Sequence, residues 1–360
     1  MKKGLTLCLF FLITSNFIRS QSLPPVAQAL YDEAFLHDSL AVQYAINQGA
    51  DILPTPDGNS FYIKWFPVGS TPSSTPLIVT LHGSSGYAFP EFFDWHSQAI
   101  QHGCGIIALQ WYRGDSAGFP NDYFNDTTLY SYIDFALSEF NYPSAKAFLH
   151  GFSRGSARSY ALNFYDSHGG KNYFCTTLSN AGGAEPSYPL YSDITLGVHG
   201  TNVFAGIHFN LFCGGNDPNP NQSGCIGMNN TKNWLQAQGA TVDIFIEDDT
   251  LGHDGFHTIP MYMDSILDQY LTCYSSQVGI KKIQTVNKVT IFPNPGADFI
   301  ELSTNENVFK ISIINAIGQT LPNITISNSR IDISDLDNGL YFVVIEMKNR
   351  ETEIHKVIKN

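Results

Sequence analysis

A serine attacks a carbonyl only when its hydroxyl is exposed and a base stands ready to take its proton. Gly151-Phe152-Ser153-Arg154-Gly155 follows the apolar run KAFLHG (146–151) and opens the helix-like segment SARSYALNFY. Ser153 therefore falls at a strand-to-helix turn, where a tight bend lifts the hydroxyl clear of the sheet. Glycines two residues either side remove the Cβ atoms that would collide as strand, turn and helix crowd together. The helix start also points amides toward negative charge developing beside the serine. A glycine-flanked serine in an ordinary turn is the competing reading. A second segment, His82-Gly83-Ser84-Ser85-Gly86, closes the run LIVTL, and its small residues can turn backbone N–H groups toward a carbonyl oxygen. His82 itself reads as a locally packed side chain. Downstream lie two candidate acids, Asp193 and Asp217, and two candidate bases, His253 and His257. Asp217 ends the run IHFNLFCGG, although Asp217-Pro218 also suits an Asx turn. His253 occupies a glycine-bracketed loop after TVDIFIEDD, and His257 stands where the last helix begins.

These residues need a scaffold, and the chain supplies one by alternation. LIVTLHG (77–83), GIIALQW (105–111), KAFLHG (146–151) and IHFNLFCGG (207–215) are short apolar runs ended by turn residues, as buried parallel strands are, and TVDIFIEDD (241–249) reads as the next strand. Helical segments at 90–101, 127–140, 154–165, 229–239 and 256–273 separate or follow them. A leading helix or helix pair covers 25–48, and SFYIKWFP (60–67) fits an antiparallel edge strand. The pattern implies an α/β fold with a doubly wound, mostly parallel sheet.

The pentapeptide around Ser153, the His-Gly loop and the downstream acid and histidine together resemble the α/β-hydrolase family across most of 60–275. The resemblance implies a chain order of serine, acid, histidine, and so selects Asp217 over Asp193 and His253, in a Gly-His step, over His257. It implies an oxyanion hole from the amides of Ser84 (or Ser85) and Arg154, with no metal or organic cofactor required. The function implied is a serine hydrolase of carboxylic esters. Its plan is similar to that of secreted feruloyl and acetylxylan esterases and polyester depolymerases. A serine peptidase, or a surface binding module on an inactive hydrolase scaffold, are the alternatives. Arg154 stands where many members of the family carry a smaller or apolar residue. In so acidic a domain, an ion pair with a neighbouring acid is the expectation for it.

Near residue 281 the helical pattern ends. After the polar connector KKIQTVNK come short strands at 289–293, 298–303, 309–314, 330–334, 340–347 and 352–359, the pattern of a small immunoglobulin-like β-sandwich from about 288. IFPNPGADFIEL, INAIGQTL, IDISDLDNGLYFVVIE and HKVIK, in that register, resemble the C-terminal sorting domain of the type IX (Por) secretion system of Bacteroidetes. A carbohydrate-binding module is the structural alternative. The resemblance implies recognition by the type IX machinery, and a product secreted or attached to the cell surface. Residues 1–20 read as an export signal, with basic Lys2 and Lys3 before the apolar stretch Leu5–Ile13. That stretch is too short to span a bilayer. The domains expected are thus a signal at 1–20, a catalytic domain at 21–280 and a sorting domain at 281–360.

Composition narrows the partners. Charged residues are only 14% and hydrophobic ones 43%, which excludes a disordered chain. The net charge is −13; setting aside Lys2, Lys3 and Arg19 of the signal leaves −16. Residues 281–360 hold nine basic and nine acidic groups, so the whole surplus falls on 21–280 and argues against nucleic acid. Five cysteines follow the signal, and Cys213 with Cys225 is the expected disulfide. Two aromatic-rich loops, 87–96 and 111–130, offer Tyr87, Trp111 and Tyr112 as substrate-binding rings, with core packing as the alternative for each.

Overall fold

The computed structural model describes residues 22–118, 121–188, 190–276, 289–304, 308–315, 320–321, 326–327, 329–347 and 352–360. The export signal and the 281–288 connector lie outside them. The chain divides into two units, Met1–Gly279 and Ile280–Asn360.

The first unit begins with helices α1 (Pro25–His37) and α2 (Ser39–Asn47), then strands β1 (Asp51–Pro54), β2 (Phe61–Trp65) and β3 (Leu77–Leu81). From there α3 (Ala88–His102), β4 (Gly105–Leu109), α4 (Asp126–Ser138), β5 (Ala147–Phe152), α5 (Arg154–His168) and β6 (Phe174–Asn180) alternate. They are followed by α6 (Tyr191–Thr195), β7 (His208–Gly214), α7 (Cys225–Ala237), β8 (Thr241–Asp248) and α8 (Pro260–Ser276). The strands form one sheet in the order β1-β2-β4-β3-β5-β6-β7-β8. β1 and β2 are antiparallel to their neighbours and the other six are parallel. This is the α/β-hydrolase architecture.

Side chains alternate across the sheet, so each strand feeds two cores. Leu77, Val79, Leu81, Ile107 and Leu109 pack with Leu129, Ile133 and Leu162 on one face. Ile78, Ile106 and Ala108 pack with Phe89, Phe92, Ile266 and Tyr270 on the other. Every residue of β3 and β4 is buried, because helices cover both faces. The strand at 60–67 is not the edge, since β1 pairs outside it. Strand β6 has no counterpart among the apolar runs. Its sequence, FCTTLSN, is fully buried yet polar, with Thr177 bonded to Asn163, Thr176 to Asn210 and Ser179 to Ser159. These pairings satisfy buried groups that would otherwise cost about 1–3 kcal/mol each.

The second unit is all β. β9 (Val289–Phe292), β10 (Phe299–Thr304), β11 (Val308–Asn315), β12 (Ile326–Ser327), β13 (Arg330–Asp332), β14 (Gly339–Met347) and β15 (Thr352–Lys359) form a four-stranded and a three-stranded sheet. Ile300 and Leu302 of one sheet and Ile313, Val343 and Ile345 of the other share one core, which makes a small sandwich.

Candidate active site

β5 passes directly into α5 at Ser153, whose backbone has φ 53° and ψ −116°. An L-residue adopts that conformation only when its surroundings enforce it, and the surroundings here leave no slack. A Cβ on Gly151 would lie 2.3 Å from the Gly155 carbonyl oxygen, and one on Gly155 would lie 2.6 Å from that of Leu81. Gly182 closes the third side, where a Cβ would stand 1.9 Å from the Ser153 carbonyl oxygen. The Ser153 amide donates to the Asn180 carbonyl at 2.8 Å, tying the bend to the end of β6. The hydroxyl is left free to face outward.

The loop after β8 brings His253 to this hydroxyl. Ser153 Oγ lies 2.7 Å from His253 Nε2, and His253 Nδ1 lies 2.6 Å from Asp217 Oδ2. With Nδ1–H donating to the carboxylate, Nε2 is left to accept the serine proton. Asp217 is held from its other oxygen, Oδ1, which accepts from the Asn219 amide at 2.7 Å and the Ser223 hydroxyl at 2.8 Å. The Asx turn and the contact with His253 thus coexist in one side chain. Cys213 and Cys225 are joined as a disulfide, linking the end of β7 to the start of α7 on either side of the Asp217 loop. Gly214 lets the His253 loop cross closely, since its Cβ would meet the Gly252 carbonyl oxygen at 2.3 Å. Cys175 and Cys273 form a second disulfide with a separation of 98 residues, and Cys104 is free and buried. His257 does not enter the hydrogen-bonded line, and Asp193 is exposed on α6.

The His-Gly loop lies against Ser153. A Cβ on Gly83 would be 3.2 Å from that of Ser153. The Ser85 amide is occupied by the Tyr123 hydroxyl at 2.5 Å. The amides of Ser84 and Arg154 have no partner among the described residues. His82 is a neutral brace: burial pushes its pKa down to about 4. It donates from Nδ1 to the Gly83 carbonyl at 2.9 Å and accepts the Trp111 amide at Nε2 at 3.3 Å.

Two cavities meet at Ser153. One of about 210 Å³ is walled by Ser84, Arg154, Tyr188, Asn219 and Gln222. The other, of about 540 Å³, is walled by Tyr87, Glu91, Asp94, Phe152 and His257. Two aromatic expectations need correction. Trp111 is wholly buried, stacked on His82, and Tyr112 is 5% exposed with its hydroxyl on Asp115; both brace the loop from beneath because their rings are drawn into the cores. Tyr87 is buried too, with its hydroxyl on Glu33 at 2.6 Å, though it reaches the larger cavity. Arg154 also departs from expectation: it has no ion pair among the described residues, and its guanidinium sits 3.9 Å over the ring of Tyr123.

The acids of the larger cavity were missed. Burial raises Glu91 and Asp94 each to about 7, and depresses His150 and His257 to about 3. Their spacing on one helix, FPEFFDW, is the signal that could have revealed them, since a helix that buries its aromatic face takes such acids in with it. Glu91, His150 and His257 bring three ligand-type atoms within 4.8 Å of one another. His150 Nδ1, however, already accepts the Trp95 indole N–H at 3.0 Å, so the group fits a hydrogen-bonded cluster better than a metal centre.

Residues 290–360 match the family model of the secretion system C-terminal sorting domain. No curated protein matches the chain. Among solved structures, it is similar to a Bacillus cereus carboxylesterase, with 14% identity, 65% of this chain and 99% of that chain covered, and a TM-score of 0.43. It is also similar to a fungal esterase from Rhizomucor miehei, at 12% identity, 71% and 98% coverage and a TM-score of 0.48. Lactobacillus rhamnosis esterase B stands at 11% identity, 70% and 97% coverage and a TM-score of 0.47.

Proposed function

We propose that this chain is an exported serine hydrolase that cleaves carboxylic esters of an extracellular polymer. The observation that carries the reading is the unbroken line Ser153 Oγ to His253 Nε2 at 2.7 Å and His253 Nδ1 to Asp217 Oδ2 at 2.6 Å, beginning on a strained turn. His253 takes the proton as Ser153 attacks the ester carbonyl, and Asp217 holds the imidazole in the required tautomer and offsets its charge. The Ser84 and Arg154 amides receive the oxyanion, each worth about 3 kcal/mol in the transition state. Collapse expels the alcohol with the proton from His253, and water then enters by the same route to free the acid. The sorting domain at 290–360 supports delivery by the type IX machinery, to the medium or the cell surface. The export signal proposed at 1–20 would take the chain across the inner membrane first.

The test is a substrate panel of aryl esters, acetylated xylan, a polyester film and peptide amides, run on wild type and Ser153→Ala. Hydrolysis of esters by wild type alone is the expected result. Cleavage of amides in preference to esters would replace the esterase reading with a peptidase. A folded wild type inert on every member would leave a binding module on a hydrolase scaffold.

A further inference from the structure

Residues 21–280 hold seven basic groups against 23 acidic ones, so a guanidinium there has many carboxylates to choose from. Arg158 follows the common course: it pairs with Asp126 at 3.2 Å and has Tyr188 beside it. Arg154, one turn earlier on α5, does not. Among the described residues it donates to no carboxylate, and its Nε is buried without a partner. Glu185, close enough to act on Tyr188 together with Arg154, accepts the Gln222 amide and the Ser187 hydroxyl at Oε1 and makes no ion pair with Arg154 among the described residues. Tyr123 supports Arg154 from below at 3.9 Å, and its hydroxyl is anchored to the Ser85 amide. A guanidinium resting on a ring face keeps its N–H donors at its rim, directed sideways, where they fit the two oxygens of a carboxylate.

The cavity this group borders also contains Ser153 and Ser84, with Tyr188, Asn219 and Gln222 adding hydrogen-bonding groups. Its 210 Å³ is about seven water volumes, room for a short chain ending in a polar group. The acidic surface opposes an approaching anion, but at physiological salt that field is screened beyond about 8 Å, and the group in contact decides.

We propose that Arg154 makes this enzyme selective for esters that carry a free carboxylate close to the scissile bond, which the guanidinium binds beside Ser153. The proposal rests on the serine-hydrolase reading. The carboxylate belongs either to the acyl part, as in a hemiester of a dicarboxylic acid, or to the alcohol part, as in an esterified hydroxy acid. The reaction is unchanged: the Ser153 oxygen bonds to the acyl carbon, the ester C–O bond breaks, and water completes hydrolysis.

Two matched pairs separate the sources. Mono-4-nitrophenyl glutarate against 4-nitrophenyl valerate tests the acyl side, and 4-(butyryloxy)benzoate against phenyl butyrate tests the alcohol side. Wild type is expected to favour the charged member of one pair in kcat/KM by about tenfold to a hundredfold, the worth of one charge-assisted contact. Arg154→Gln should abolish that preference and Arg154→Lys should keep part of it, with rates normalised to the fraction of enzyme titrated by a fluorophosphonate. Wild type gives a second readout, in which glutarate competes with substrate more strongly than valerate. Active enzyme with no preference in either pair, a preference that survives in Arg154→Gln, or equal competition by the two acids overturns the proposal alone. Wild type that neither reacts with the fluorophosphonate nor cleaves a neutral ester overturns the hydrolase reading and this proposal with it.

Discussion

On one side of Ser153 the wall carries Arg154, half-buried and stacked on Tyr123; on the other it carries Glu91, Asp94 and His257, drawn into the protein beside His150. The first wall carries a guanidinium that rests on the Tyr123 ring and has no ion pair among the described residues. The second holds carboxyl groups that burial pushes up to about 7, so its charge depends on the medium. The difference gives Ser153 two unlike neighbours. A partly exposed cation tolerates the lack of a protein partner and is left for a ligand, whereas buried acids are held near neutrality by desolvation. Under the proposal made above, a carboxylate-bearing ester would place its charge on the Arg154 side of Ser153 and away from Glu91 and Asp94.

The largest expected effect tests whether the two sides serve one centre. His253→Ala should lower kcat by about 10⁴-fold or more for charged and neutral esters alike, since both depend on the same proton transfer. Survival of either activity in steady-state assays would mean that the cavities belong to separate sites.

Next in size is the pH dependence of the acidic side. The folded-state pKa of Glu91 is raised from 4.5 to about 7. Its contribution to stability is therefore complete below about 4.5 and is lost as pH rises through 7, to a limit on the order of 3 kcal/mol. His150 and His257, depressed to about 3, act in the opposite sense: their contribution is present above 6.5 and is lost as pH falls toward 3. Glu91→Gln removes the first effect, together with the influence of Glu91 on Asp94 and His257. Its melting temperature relative to wild type should climb between pH 5 and pH 8, and a difference that stays constant across that range would show Glu91 to be ionised throughout.

The smallest effect sharpens the account of the cationic side. Tyr123→Phe keeps the ring under Arg154 but deprives the Ser85 amide of its acceptor. A fall in kcat of about five- to tenfold is expected, with the preference for carboxylate-bearing esters retained. If the preference fell and the rate did not, the hydroxyl and not the ring would be what positions Arg154.

Much of this arrangement was legible in the chain. Gly151 and Gly155 flank a serine between a strand and a helix because the packing tolerates no Cβ at either place, and that constraint shows as spacing. The runs that became β3, β4, β5 and β7 are apolar because helices bury both their faces, whereas β8 at the sheet edge is only partly buried. β6 escaped the same search, since its Thr and Ser side chains are buried through hydrogen bonds and not through apolarity. Trp111 and Tyr112 sit in a loop that looks exposed on paper, yet both rings turn inward, Trp111 onto His82 and Tyr112 against Tyr87 and Tyr123. The freedom of Arg154 was illegible for a plainer reason. Whether an arginine finds an acid depends on which carboxylates are already engaged, and only the folded chain settles that for Glu185 and Asp126.

The central claim is that Ser153 is an activated nucleophile. Its most direct test is to treat purified mature protein with a fluorophosphonate and map the adduct by mass spectrometry, with Ser153→Ala and His253→Ala alongside. A stoichiometric adduct is expected on Ser153 in wild type, with none in Ser153→Ala and strongly slowed labelling in His253→Ala. Folded wild type that stays unlabelled, or an adduct on another residue, would contradict it.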